Sequence, residues 1–275
     1  MKTRIITAAV GVLLVVLLLI FGEQYTFILA LALALVSAIA CMEFLTAKKL
    51  QKNPLVAITT IIFALAAPLV AFTNLVYIPF YVYSLLMFAY MIILRDKLNI
   101  KDITFGFAGA SVIAGGLAFM ARLVATAGGW NSFYLVITLV APWCADTAAY
   151  FVGSFMGKKK LCPEVSPKKT VEGAVGGIFG SILGIVIAGL ILQFIVYRNI
   201  IVNYWALLVI GCFCAVFSVV GDLIFSVIKR DCGIKDYGSI MPGHGGLLDR
   251  IDSVIFCVPF VYMISDVWGL ITPVA

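Results

Sequence analysis

Hydrophobic residues along this chain come in long runs separated by short polar breaks. Apolar stretches occupy about residues 5–21, 26–46, 55–72, 75–94, 103–124, 131–152, 172–197, 201–225 and 251–270. Each approaches or exceeds the ~20 residues that a helix needs to cross a bilayer. The pattern predicts nine transmembrane helices, the first two nearly abutting across residues 22–24. Strands of a membrane barrel would instead alternate apolar and polar positions over ~10-residue segments. The expected fold class is therefore an all-α integral membrane protein, because only closed barrels and helices satisfy their backbone groups inside lipid.

Composition agrees: 64% of the 275 residues are hydrophobic and 12% are charged, with a mean hydropathy of +1.16. A soluble globular domain carries about twice that charge. Charge also sets an expected orientation, since Lys and Arg gather on the cytoplasmic side of a membrane. With the N-terminus inside, all but Arg122 and Arg198 of the 19 basic residues fall in cytoplasmic segments. The C-terminus is then outside, and the long polar loops at about 153–171 and 226–250 both face the cytoplasm. The basic residues sit where this rule puts them, so no nucleic-acid partner is expected. Met1 to Arg4 and the run that follows read as an ordinary first span rather than a cleaved signal, because no small-residue cleavage site precedes Gln24. The seven cysteines form no CxxC pair and read as small apolar residues.

Residues 1–275 read as a single polytopic membrane domain with two unlike halves. Residues 1–125 have short loops and form a helical scaffold. Glu43, the one acid well inside a predicted span there, reads as snorkelling to the membrane edge or pairing with Lys48 or Lys49. Glycines 173 and 177, and 176, 180 and 184, recur at four-residue spacing and predict close helix packing. Residues 126–275 carry both long loops and two acids inside apolar runs, Asp146 and Asp222, so chemistry is expected there.

The stretch Ser226 to Asp252 concentrates charge and holds the chain's single histidine. Asp222, Ser226, Lys229 and Arg230 are spaced i, i+4, i+7 and i+8, placing a carboxylate, a hydroxyl and two cations on one helical face. Asp249 and Asp252 follow the flexible turn Gly243, His244, Gly245, Gly246, one helical turn apart. Carboxylates from two helix ends suit Mg²⁺, a hard ion that takes one or two protein carboxylates and leaves its other positions to water and phosphates. Asp222 and Asp249 are the expected metal ligands. In the other loop, Asp146 and Tyr150 share a face, and Ser166, Lys168, Lys169 and Thr170 precede a helix, where hydroxyls, ammonium groups and free backbone N–H groups would form an anion site. Lys158 to Lys160 read as positive-inside residues or lipid head-group contacts.

Both loops closely resemble the phosphatidate cytidylyltransferase (CDP-diacylglycerol synthase) family. The C-terminal signature, an S-x-x-K-R start, a K-D pair, PGHGG and a D-R-x-D ending, is filled by Ser226, Lys229, Arg230, Lys235, Asp236, Gly238, Pro242, Gly243, His244, Gly245, Gly246, Asp249, Arg250 and Asp252. The upstream A-D-T-x-A-Y-F and S-P-K-K-T-x-E-G patterns are met by Ala145 to Phe151 and Ser166 to Gly173. Met241, where the family usually has Ile, Leu or Phe, and Ser154, at a place often basic, depart from the pattern. The motifs cover about residues 145–253.

The resemblance implies transfer of CMP from CTP to phosphatidic acid, giving CDP-diacylglycerol and pyrophosphate for phospholipid synthesis, by a membrane enzyme that uses Mg²⁺, with a second cation left open as one of three alternatives for Asp146, beside orienting a lysine or approaching the cytidine. It implies catalytic roles for Asp222, Asp249, Lys229, Arg230 and Asp146, and substrate contacts from Ser166, Lys168, Lys169, Thr170, Ser226, Lys235, Asp236, His244, Gly245, Gly246, Arg250 and Asp252. A homodimer in a bacterial inner (plasma) membrane, with a cytoplasmic active site, is the corresponding expectation. A CTP-dependent lipid kinase is the nearest alternative. A transporter is the alternative from another class, though its charges should recur at mid-membrane depth. A CDP-alcohol phosphotransferase is disfavoured, because its paired aspartates at i, i+4 on one helix do not occur here.

Overall fold

Each of the nine apolar runs forms a helix in this computed structural model, which describes residues 2–243 and 245–274, the side chains of residues 2–6 and 8 excepted. The helices are α1 (Lys2–Gln24), α2 (Thr26–Ala47), α3 (Pro54–Val70), α4 (Ile78–Ile93), α5 (Ile100–Ala125), α6 (Asn131–Met156), α7 (Val171–Ile191), α8 (Tyr204–Asp231) and α9 (Leu248–Trp268). Among the described residues, six of them, α2, α5, α6, α7 with the π-helical turn Leu192–Tyr197 that follows it, α8 and α9, are long and apolar enough to cross a membrane. Helices α3 and α4 are shorter apolar helices, Pro54–Val70 and Ile78–Ile93, and the described part of α1 supplies the apolar stretch Ala9–Gln24. The protein is an all-α membrane protein, with two small antiparallel ribbons added. Strand β1 (Lys160–Cys162) pairs with β2 (Ser166–Thr170), and β3 (Ile200–Val202) pairs with β4 (Ile271–Pro273).

Two polar loops are shorter than the sequence predicts. Helix α6 continues to Met156 and α8 to Asp231, so Ser226, Lys229 and Arg230 are helical, as their spacing with Asp222 predicts. Lys229 and Arg230 occupy the last turn of α8, where cations offset the partial negative charge of unpaired carbonyls. Much of the remaining upstream loop is the β1–β2 hairpin.

The chain divides into two compact units, residues 1–131 with 231–251, and residues 132–230 with 252–275. In the first, α2, α3 and α5 pack on one another, with α4 against α3 and α5 and α1 against α2. Helix starts are set locally: Asn53 Oδ1 accepts from Leu55 N (3.1 Å) ahead of Pro54, and Asn99 Oδ1 from Lys101 N (3.0 Å). Both are N-caps supplied by the residue type best suited to the role. The core is aromatic. Phe63 stacks on Tyr83 with centroids 4.1 Å apart, Tyr83 shares a 3.0 Å hydrogen bond with Thr60, and Phe44 stacks on Phe105 at 4.6 Å.

In the second unit, α7 lies against α6 along its small residues, as the glycine spacing predicts. A Cβ at Gly176 would stand 2.5 Å from Val152, one at Gly177 3.0 Å from the Ala145 carbonyl, and one at Gly173 2.7 Å from the Ala149 carbonyl. Gly211 of α8 brings its backbone to Ile182 of α7 in the same way, and Gly221 brings α8 to Phe256 and the Asp252 carbonyl of α9. Phe260 of α9 packs on Phe213 and Phe217 of α8, with centroids 5.1 and 5.4 Å away. The β3–β4 ribbon ties the chain after α9 back to the start of α8, reinforced by Asn203, which donates to the Gly269 carbonyl at 3.2 Å.

Candidate active site

The second unit gathers acids, hydroxyls and lysines at the ends of four elements. Asp146 of α6 is exposed, and its two oxygens accept from Ser218 of α8 (2.6 Å) and Ser253 of α9 (3.3 Å). One turn further along α8, Asp222 accepts from Ser226 at 3.2 Å, the i, i+4 contact that the spacing predicts. Its other oxygen lies 2.6 Å from the ammonium of Lys169 on β2, which also reaches the Val219 carbonyl at 3.4 Å. Asp252 is buried, 7% exposed, and the charges it feels are those of Asp222, Lys229 and Asp146. Three predicted acids, Asp146, Asp222 and Asp252, therefore share one electrostatic neighbourhood with Lys169 and Lys229.

The hairpin that delivers Lys169 holds itself in shape. Thr170 is buried, and its hydroxyl accepts from Gly173 N at 3.0 Å as the N-cap of α7. Val171 N donates to the Lys159 carbonyl at 2.9 Å. Glu172 reaches back to accept from Lys158 N (3.0 Å) and Lys159 N (3.2 Å). Two of the N–H groups at this helix start are engaged within the protein. Val171 N and Gly173 N already have partners, and the Thr170 hydroxyl serves the cap. Ser166 pairs across the ribbon with Cys162, while Lys168 is exposed.

The glycine-rich loop belongs to the first unit. Met241 N donates to the Gly245 carbonyl at 3.1 Å, closing a tight turn in which Gly243 and Gly245 adopt φ of 79° and 87°, a region L side chains rarely enter. Asp249 Oδ2 accepts from both Tyr237 N (2.9 Å) and Gly246 N (3.0 Å). Asp236, exposed like Lys235 and Arg250, flanks Gly245: a Cβ there would lie 3.3 Å from Asp236 Oδ1 and 3.2 Å from Asp249 Oδ2. His244 lies outside the described residues.

One participant was misread from the sequence. Glu43 neither snorkels nor pairs with Lys48 or Lys49: it is 6% exposed, and its carboxylate accepts from Leu247 N (3.1 Å) and Leu248 N (2.8 Å) at the start of α9. Gly238 and Gly246 press against it. A Cβ on Gly246 would stand 2.6 Å from Glu43 Oε2, and one on Gly238 would collide with Oε1. The neighbouring Phe44 stacks on Tyr237 at 5.9 Å. Lys48 instead pairs with Asp231 at 3.6 Å and lies over the Phe105 ring at 4.7 Å. The available signal was Glu43 itself, the one carboxylate inside the first five apolar runs, but a cheap edge-of-membrane explanation hid it.

Among the described residues, no group of three or more His, Cys, Asp or Glu side chains is arranged around a common metal position. Asp222 and Asp249, the expected metal ligands, fall in different units. The atoms at Asp222 able to ligate a metal are its own carboxylate oxygens and the Ser226 hydroxyl, and the carboxylate faces a cation, the Lys169 ammonium. That chemistry suits a hard divalent ion such as Mg²⁺ and not a thiophilic one.

Comparison with known proteins extends beyond the motifs. The chain matches the cytidylyltransferase family over residues 2–268. It is 33% identical over 274 residues to the phosphatidate cytidylyltransferase of Bacillus subtilis (strain 168), covering 96% of this chain and 97% of that one. It is 31% identical over 269 residues to the phosphatidate cytidylyltransferase of Staphylococcus haemolyticus (strain JCSC1435), covering 95% and 97%. The protein of the same name from Staphylococcus aureus (strain COL) is 30% identical over 265 residues. Likeness from α1 through α9, on top of the two charged motif regions, leaves one conclusion: this chain belongs to the cytidylyltransferase family.

Proposed function

We propose that this protein is a phosphatidate cytidylyltransferase, a nucleotidyltransferase that joins CTP and phosphatidate to give CDP-diacylglycerol and pyrophosphate. The observation that carries this reading is the likeness over about 95% of the chain to relatives bearing that name. The chemistry asks for what the motif regions contain. An oxygen of the phosphatidate phosphate attacks the α-phosphorus of CTP, a new P–O bond forms, and the bond to the bridging β-phosphate oxygen breaks in line, releasing pyrophosphate. A phosphate monoester is already ionised, so no side-chain nucleophile is needed. The protein has to hold two polyanions in register and offset the charge they bring together.

Lys168, Lys169, Lys229, Arg230, Lys235, His244 and Arg250, with the hydroxyls of Ser166 and Ser226, serve as phosphate contacts. Asp222 and Asp249 are the residues that would hold Mg²⁺, which would supply charge neutralisation at the phosphates. Asp249 Oδ2 accepts two backbone N–H groups, which holds its carboxylate in place. Asp146, fixed by Ser218 and Ser253, supports the cluster around Asp222, where a second cation would also find oxygen donors.

All nine helices cross the membrane in this reading, with the N-terminus cytoplasmic and the C-terminus outside. The short apolar helices α3 and α4, with 17 and 16 residues, span about 24–26 Å at the helical rise, a mismatch the bilayer accommodates by thinning locally. The charge asymmetry of the sequence supports a cytoplasmic position for the motif regions at the plasma membrane, where CTP is present, and a homodimer is the working form in this reading.

The test is incubation of detergent-purified protein with phosphatidate, Mg²⁺ and CTP labelled in its α-phosphate, followed by organic extraction. Label in the lipid phase with equal pyrophosphate release is the expected result. Transfer from γ-labelled CTP to a lipid alcohol would instead make the protein a CTP-dependent kinase. Neither signal from a folded sample would overturn the reading as an enzyme of lipid activation.

A further inference from the structure

Glu43 stands outside both motif regions, more than 200 residues earlier in the chain than the groups it touches. A buried carboxylate is costly unless hydrogen-bond donors replace the water it loses. Here the donors are the backbone N–H groups of Leu247 and Leu248, among those that the first turn of a helix leaves unpaired. The favourable charge of a helix N-terminus adds to them. The fit is close on the other sides as well, because Gly238 and Gly246 leave no room for a Cβ beside the carboxylate.

The contacts fix more than one residue. Leu247 and Leu248 immediately precede Asp249, whose own carboxylate holds Tyr237 N and Gly246 N. Glu43 and Asp249 thus grip the loop between Tyr237 and Leu248 from two directions, and Phe44 packs the same loop through Tyr237. We propose that Glu43 is a positioning residue: by capping the start of α9 and filling the space left by Gly238 and Gly246, it sets where Asp249 and Arg250 stand for cytidylyl transfer. This rests on the activity proposed above. Both carboxylate oxygens are engaged with backbone N–H groups, so in this role the influence of Glu43 passes through backbone placement.

The side-chain chemistry makes the inference testable. Both Glu43 oxygens accept, whereas glutamine has one acceptor oxygen and would turn an NH2 group toward one of the two N–H donors. Aspartate keeps the charge but is one methylene short. In the full-length protein purified in detergent, Glu43→Gln and Glu43→Asp are each expected to lower kcat about 100-fold, the scale of an ångström-sized misplacement, with KM for CTP changed far less. Amide exchange at Leu247 and Leu248, read by mass spectrometry, should quicken by about tenfold or more once a charge-assisted hydrogen bond is lost, while exchange in α3 and α5 stays as in the wild type.

A second arm does not depend on the singly substituted protein being well folded. Gly238→Ala should be far less harmful in the Glu43→Ala background than in the wild type, because the group its new methyl strikes has gone. Strict additivity of Gly238→Ala and Glu43→Ala, normal kcat with unchanged exchange in Glu43→Gln, or faster exchange throughout α2, α3 and α5 would each overturn the positioning role. A wild-type protein that labels no lipid would sink the activity reading instead, leaving the exchange and additivity arms to decide whether Glu43 positions the loop.

Discussion

The two motif regions solve the same problem by different means. Each ends at the start of a helix, and each uses a carboxylate to hold backbone N–H groups in place. At the β1–β2 hairpin the holding is local: Glu172 reaches residues 13 and 14 positions away, and Thr170 caps its own helix. At the glycine-rich loop it is remote, with Glu43 gripping groups 204 and 205 positions away. The hairpin therefore carries its shape in its own sequence, while the glycine loop borrows shape from a helix made long before it. A local device tolerates change in the rest of the protein; a remote one ties the site to its scaffold.

The largest expected effect tests whether both regions serve one reaction. Asp222→Asn and Asp249→Asn should each reduce kcat by about 1000-fold or more, as loss of several kcal/mol of charge stabilisation requires. Asparagine retains an oxygen that can accept from Tyr237 N and Gly246 N, so in Asp249→Asn the loss reports on charge rather than loop shape. Near-normal turnover across a Mg²⁺ titration for either variant would remove that residue from the metal site.

Next come the glycines, one from each region. Gly246→Ala pushes a methyl to within 2.6 Å of a buried carboxylate oxygen and 2.7 Å of Gly238 N, and overpacking of this kind costs about 1–3 kcal/mol. Turnover should fall more than about tenfold, in line with the rate cost of that much misplacement. Gly153→Ala meets chiefly the Thr170 hydroxyl, at 2.8 Å, and should cost clearly less in both stability and kcat. Equal losses would erase the distinction between remote and local support. A smaller effect is expected of Thr170→Ala, which removes the α7 cap and should lower stability by about 1 kcal/mol while kcat changes by no more than a small factor. Unfolding in mixed micelles measures it, and Thr170→Ser should restore the loss. Smallest of all is Lys48→Ala. Its 3.6 Å pair with Asp231 is partly exposed, worth at most about 1 kcal/mol, so turnover should hardly change in the same labelled-CTP assay.

The helices were legible because hydrophobic run length is a local signal: all nine runs became α1 to α9, with ends displaced by a few residues. Run length alone ended α8 near residue 225, whereas the spacing of Asp222, Ser226, Lys229 and Arg230 put the charged end on one helical face, and the helix continues to Asp231. The ribbons were missed because pairing Ile200–Val202 with Ile271–Pro273 leaves no mark within either segment. In the site, the i, i+4 contact of Asp222 and Ser226 followed from spacing. The meeting of Lys169 with Asp222, and of Asp146 with Ser218 and Ser253, required the packing of separate helices. Glu43 is the extreme case, because nothing near it in sequence announces a partner beyond residue 240.

That separation has a consequence for how the protein is made. At about 5–20 residues per second, a ribosome takes on the order of 10–40 s to synthesise the chain between Glu43 and Leu247. Throughout that interval α2 waits at the membrane with a carboxylate whose donors do not yet exist. Insertion of the early helices cannot by itself complete their own bundle. The loop that closes over Glu43 arrives only with α9, so the assembly of this site is timed by translation of its last helix.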